Sequence, residues 1–386
     1  MESKGNRLFV GAVIRRERLC RDWIQEGLCR GICTVSYLSK IEQGKAEGSG
    51  EVLRLLLERL DVPWYDDPET LKAGAKLVER CYEAVLSCDP EDHGDLAPEF
   101  DAMASRLSNS PYGLDVAVLR GFIHPEQPME DTELEEYLDR RQLALRRVQQ
   151  ERYQEALDLY PCAYTWMRAG VDHYFRGDSY TAAMECLSQA YQRACEQGYV
   201  RLMLLAKLYM GNCYCNQLHL KQMEEQYRVA RRLAQALGDK EILRSMAYNQ
   251  ASGYLECGQY QRAYEYFSAV DEPTGMDLHK LALCCEKLGL TAQALEALDR
   301  AEGMEWDLEL GREMCQLVRY RLEHEEYLEH SEYGELLLRV FRDCQEQRPI
   351  GYAAFHLPSV LEWYTANRQY HNAYELLRDF PIKLDL

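Results

Sequence analysis

The 386-residue chain lacks the short motifs that mark most enzymes. There is no Gly-x-x-x-x-Gly-Lys-Ser/Thr phosphate loop, no Gly-x-Ser-x-Gly elbow and no His-Glu-x-x-His pair, so no catalytic residues and no cofactor are expected. Fifteen cysteines are present, but none forms a Cys-x-x-Cys pair. Cys213-x-Cys215 and Cys284-Cys285 lack zinc-ligand spacing, and no metal site is expected. No run of 18 apolar residues occurs, so no membrane span is expected. No secretory signal pattern opens the chain, which points to the cytoplasm and to reduced thiols serving as small apolar filler. Strand-like runs flanked by hairpin turns are missing too, leaving an all-α reading.

What is present begins with uneven charge. Residues 1–60 hold 11 Lys/Arg against 8 Asp/Glu, and residues 61–386 hold 34 against 56. A mildly basic head on a strongly acidic body suits a DNA-binding module carried by something that repels phosphate. The length suggests one compact domain followed by a second domain or a repeat array.

The head centres on Cys33–Lys45 (CTVSYLSKIEQGK). Val35, Leu38 and Ile41 recur every third residue and form an apolar back. Ser36, Tyr37, Ser39 and Lys40 form the front, Thr34 and Ser36 lie at the start, and Gly44 is the expected C-cap with Lys45 beside it. Hydroxyls and a lysine on one helical face can reach base edges and phosphates. Any surface helix has an apolar back and a polar front; the neighbouring segments raise this one above that reading. Val10–Leu19 forms a helix burying Val10, Ile14 and Val13, Trp23–Leu28 a second that Asp22 would cap, and Glu51–Leu60 a fourth, with a turn at Gly31.

The segment from Val10 to Val62 resembles the Cro/repressor-type helix-turn-helix of the XRE family. The matching residues are Ile14-Arg15-x-x-Arg18, Gln25-x-x-Leu28 and Ser36-Tyr37-Leu38-Ser39-Lys40-Ile41-Glu42-x-Gly44. The resemblance implies that Arg15 pairs with Glu42, that Gln25 touches phosphate, and that Thr34, Ser36, Tyr37 and Lys40 read bases. The Gln25–Glu42 segment is about one residue shorter than the family pattern.

Asp61–Pro68 (DVPWYDDP) reads as a hinge that ends the head, and 66–130 as linker and helical lead-in. Helices are expected at Leu71–Leu86, Leu96–Leu107 and Leu114–Phe122, with a loop at Asp89–Asp95 and a solvated helix start at Glu130–Glu136. From residue 131 onward one pattern recurs: a small residue, a Gly or Asn turn, an aromatic, then an alanine. Its copies include Trp166…Ala190, Gly211…Ala230, Ala251…Phe267, Ala282…Ala301 and Leu361…Leu377, with an earlier one at Ala144…Tyr160. The pattern resembles degenerate tetratricopeptide repeats, and Arg312–Cys344 would hold one more pair. The resemblance implies a right-handed α-solenoid with a concave wall. Projected onto this sequence, Tyr164, Met167, Tyr174, Leu208, Asn212, Asn216, Tyr248, Ser252, His279 and Glu286 lie on that wall.

The combination of domains 1–65 and 131–386 is similar to the Rgg/PlcR/NprR/PrgX group of peptide-responsive bacterial regulators. That similarity implies a cytoplasmic homodimer on a pseudo-palindromic double-stranded DNA operator, with a short oligopeptide in the repeat groove. Two alternatives stay open: an XRE regulator whose repeats only dimerise or bind a protein, and a Rap-like interaction module that never meets DNA.

Overall fold

The computed structural model describes residues 4–88, 90–129, 133–177, 179–306, 309–348 and 350–380. Glu130 and Asp131 of the acidic run, and Asp178 of one repeat turn, lie outside them. Among the described residues there is no strand, and none of their helices is long and apolar enough to cross a membrane. The chain divides into two compact units, 1–168 and 169–386.

The first unit opens with α1 (Lys4–Cys20), α2 (Gln25–Cys29), α3 (Val35–Glu42) and α4 (Gly50–Arg59). Phe9, Val10, Val13 and Ile14 of α1 meet Leu28, Leu38, Leu56, Leu57 and Leu60 in one buried core. α1 and α3 cross closely because Gly11 has no side chain; a Cβ there would stand 2.0 Å from the Ile41 carbonyl oxygen. Thr34 caps α3 by accepting from the Tyr37 amide, and Gly44 follows in the left-handed region at φ +64°. Three local expectations change. Val35 is 42% exposed, so only Leu38 and Ile41 anchor the back of α3. Asp22 does not cap α2. It adopts φ +55° where α1 ends, with the Asp22 amide donating to the Leu19 carbonyl and the Trp23 amide to the Arg18 carbonyl. The partner of Glu42 is Arg18, not Arg15, since Arg15 faces solvent while Arg18 is on the buried side of α1.

The lead-in helices α5 (Pro68–Ser87), α6 (Pro90–Ser108), α7 (Gly113–Ile123), α8 (Arg140–Gln149) and α9 (Tyr153–Leu159) complete this unit. The expected loop at 89–95 falls largely in the first turns of α6. The lead-in is continuous with the head. Leu114 of α7 and Tyr137, in a short 3-10 turn at Glu133–Tyr137, enter the same core as Ile14. Glu135 in that turn is not a solvated helix start; it accepts from Arg147 at 2.9 Å and Gln150 at 3.2 Å. The segment expected to hinge is held as well. The Tyr65 amide donates to the Asn109 carbonyl at 2.9 Å, the Arg106 guanidinium lies 4.9 Å from the Tyr65 ring centroid, and Asp67 caps α5.

α10 (Ala163–Arg176) carries the chain into the second unit, a solenoid of antiparallel helix pairs. After α10 come α11 (Tyr180–Gln197), α12 (Val200–Asn216), α13 (Leu220–Ala236), α14 (Lys240–Glu256), α15 (Tyr260–Phe267), α16 (Gly275–Lys287) and α17 (Thr291–Glu302). Then follow α18 (Glu309–Glu323), α19 (Ser331–Gln347), α20 (Ile350–Ala366) and α21 (Tyr370–Asp379). The alanines of the recurring pattern sit at the crossings: Ala183, Ala190, Ala230, Ala263, Ala294 and Ala301 are all fully buried. Gly211 does the same for α12, where a Cβ would stand 2.2 Å from the Tyr227 ring. All fifteen cysteines are unpaired and nine are buried, as apolar filler requires. The pair expected within 312–344 is α18 with α19.

Removing one member of a buried ion pair strands the other charge. Arg18→Met is expected to destabilise the head by about 3–5 kcal/mol, while Arg18→Met with Glu42→Leu recovers most of that loss. Urea unfolding of the two variants beside the parent measures both effects.

Candidate functional site

Two regions bring together residues singled out by the sequence. The first is the front of α3. Arg18 grips Glu42 with two hydrogen bonds, Nε to Oε1 at 2.7 Å and Nη2 to Oε2 at 2.8 Å, and its Nη1 donates to the Trp23 carbonyl at 2.6 Å. The two side chains are 9% and 2% exposed. The Glu42 carboxylate holds the Arg18 pKa above its ordinary value. Gln25 joins this network, its amide donating to Glu42 Oε2 at 2.8 Å. The side chain expected to touch phosphate is thus occupied in orienting the helix, although it remains half-buried at the surface.

Several reader residues also carry structural bonds. Thr34 is the N-cap. The Tyr37 hydroxyl donates to the Glu47 carbonyl at 3.2 Å and accepts from the Ser49 amide at 3.3 Å, so it braces the loop after α3. Ser39 accepts from Gln43 at 3.1 Å, and Lys45 donates to Gln43 at 2.7 Å. Ser36 and Lys40 are exposed and engage no other described side chain. They form a free hydroxyl and a free ammonium one helical turn apart.

The second region is a cavity in the second unit, walled by α12, α14, α16 and α20 with Tyr174, Glu256 and Met314 at its edges. Asn212, Asn216, Tyr248 and Ser252 line it together, as the repeat projection expected. The asparagines have internal partners. Asn212 Oδ1 accepts from the Tyr227 hydroxyl at 2.5 Å and from Asn249 Nδ2 at 3.2 Å, while Asn216 Nδ2 donates to the Tyr180 hydroxyl at 3.0 Å. A second compartment of about 250 Å³ shares Glu256, Met314 and Phe355 as walls and continues to His279, Arg321 and His356. Glu286 lies outside it and clamps Arg321 through bonds of 2.6 and 2.8 Å. Leu208 is not on the wall; it belongs to a buried core with Tyr227 and Met246. Tyr164 and Met167 belong to the first unit, where Tyr164 is buried beside Phe122 at 6.4 Å between ring centroids.

The projection missed Glu256, Lys280, Tyr352, Phe355 and His356, which supply the cavity's charge and one of its walls. One signal was available: His279-Lys280 interrupts the apolar run Leu278…Ala282-Leu283, and charge inside such a run is buried or functional. His279 is fully buried with neither ring nitrogen hydrogen-bonded, and His356 Nε2 is also unpaired. Burial, with the charges of Lys280 and Arg321, pushes both imidazoles down, His356 to about 3. Burial likewise lowers the Lys280 pKa and raises that of Glu256. Among the described residues no cluster of His, Cys, Asp and Glu could hold a metal ion.

No protein-family model matches the chain, and no curated protein matches it. Among solved structures, the chain is similar to the crystal structure of Bacillus thuringiensis PlcR in complex with the peptide PapR7 and DNA. The identity is 15%, the TM-score is 0.30, and the match covers 76% of this chain and 92% of that one.

The buried imidazoles set a pH dependence. Their folded pKa values lie below the ordinary 6.5, so they take up protons only on unfolding. The stability they contribute is present above pH 6.5 and is lost as pH falls from there toward 3, at about 1.4 kcal/mol per unit for each. Glu256, raised by burial, acts in the opposite sense at the acidic end. The thermal midpoint is expected to fall between pH 7 and 5, and less steeply in His356→Gln; a parallel fall in both proteins would remove His356 as a source.

Proposed function

We propose that this chain is a DNA-binding transcription regulator whose second unit binds a short oligopeptide that controls it. The observation that carries the first half is the free front of α3, where Ser36 and Lys40 project from a helix fixed from behind by Arg18, Glu42 and Gln25. A rigid helix with unengaged donors suits a major groove, because phosphate contacts position it and hydroxyl contacts read base edges. The basic balance of residues 1–60 supports the same reading.

The second half rests on the cavity. Asparagine amides beside tyrosines and one carboxylate and one ammonium offer a peptide main chain donors, acceptors and apolar contact together. In this reading the protein acts in the cytoplasm as a homodimer on a pseudo-palindromic operator. Peptide shifts it only by binding one arrangement of the array more tightly than another.

Titration against double-stranded DNA from upstream of its own gene, at two salt concentrations, tests the reading. Tight binding that survives competitor DNA and weakens with salt is the expected result. Ser36→Glu with Lys40→Glu is expected to weaken it by about tenfold or more and to reduce the salt slope by about one, with helicity unchanged. Unaltered affinity would remove α3 as the reading helix. No specific binding at either salt, with or without culture extract, would favour an array that serves only protein partners.

A further inference from the structure

Lys280 is a cation without a counterion in contact. Its residue is 5% exposed on α16, and its ammonium lies 3.8 Å from the Phe355 ring centroid of α20. Among the described residues it makes no ion pair within 4.0 Å and no side-chain hydrogen bond. The nearest opposing charge that acts on it is Glu256, which reaches the same cavity from the end of α14. A buried ammonium held this way is costly unless something completes its shell. Beside it the second compartment opens past Phe355 and Met314, with apolar walls from Leu283, Leu317 and Val318 and two imidazoles short of hydrogen-bond partners.

We infer that Lys280 receives the C-terminal carboxylate of the peptide ligand, and that the side chain of the ligand's last residue enters the compartment between His279 and His356. The inference rests on the peptide reading above and names its anchor. Charge favours a carboxylate over a phosphate. Glu256 shares the cavity with Lys280, so one negative charge is balanced there and a dianion is repelled. Placement favours a terminal carboxylate over an Asp or Glu side chain. The space next to Lys280 is a closed apolar pocket suited to a final side chain, while Asn212, Asn216 and Asn249 lie on the other side, where the preceding main chain would run.

The test uses the full-length protein and two synthetic hexapeptide pools lacking Asp and Glu, one with free C-terminal carboxylates and one amidated, read by the thermal unfolding midpoint across a concentration series. The free-acid pool is expected to raise the midpoint and the amidated pool to act at least about tenfold more weakly. Lys280→Met is expected to abolish the difference between pools, and Lys280→Arg to retain it. The pool comparison on the parent protein needs no variant, so a Lys280 variant that misfolds leaves the test intact. Equal responses to both pools, or an undiminished preference in Lys280→Met, would overturn the anchor and leave the peptide reading standing. No response to either pool would overturn both.

Discussion

The geometry of the head depends on a single buried ion pair. Arg18 must leave α1 on its inner side to reach Glu42 at the end of α3, and it can do so only because Gly11 lets the two helices touch. The bidentate grip fixes rotation as well as distance, since a planar guanidinium meets a planar carboxylate in one orientation. The direction in which Ser36 and Lys40 point is therefore set from the opposite face of the helix. Gln25 and the Trp23 carbonyl fill the remaining positions of the network, so neither charge is left short of partners.

The second unit follows the same logic on a different scale. Alanine and glycine at the crossings bring α12 against α13 and α16 against α17, and the aromatic rings fill what remains. Such packing leaves little room for polar groups, yet Glu256, Lys280, His279 and His356 converge between α14, α16 and α20. Apolar residues of similar size would pack there more favourably. A cost of that kind, concentrated beside an open cavity, marks where the array has been shaped for something other than its own stability.

Local order was legible in the sequence because period and small residues report packing directly. The helices of the head, the alanine crossings and the wall positions Asn212, Asn216, Tyr248 and Ser252 all followed from spacing. The choice between Arg15 and Arg18 did not, because both lie on α1 and only the rotation imposed by Gly11 and the apolar face selects one. Leu208 and Glu286 share the helical faces of true wall residues but are claimed by the core and by Arg321. The contribution of α20 was invisible for another reason. The recurring pattern begins only at Leu361, while the cavity is met by Gly351, Tyr352, Phe355 and His356 upstream of Pro358, a proline lying inside the helix.

The core that Ile14 shares with Leu114 and Tyr137 bears on how such a protein can change over generations. A head with a sealed core of its own could be exchanged by recombination at the proline-rich boundary near residue 65, giving an old sensor a new target. Here a Cβ at Gly113 would stand 2.3 Å from the Phe9 ring, so an incoming head would have to match a surface some fifty residues beyond its own end. Heads and lead-in helices are thus inherited as a unit. New specificity has to arise by substitutions on the exposed front of α3, where Ser36 and Lys40 can vary without disturbing anything behind them.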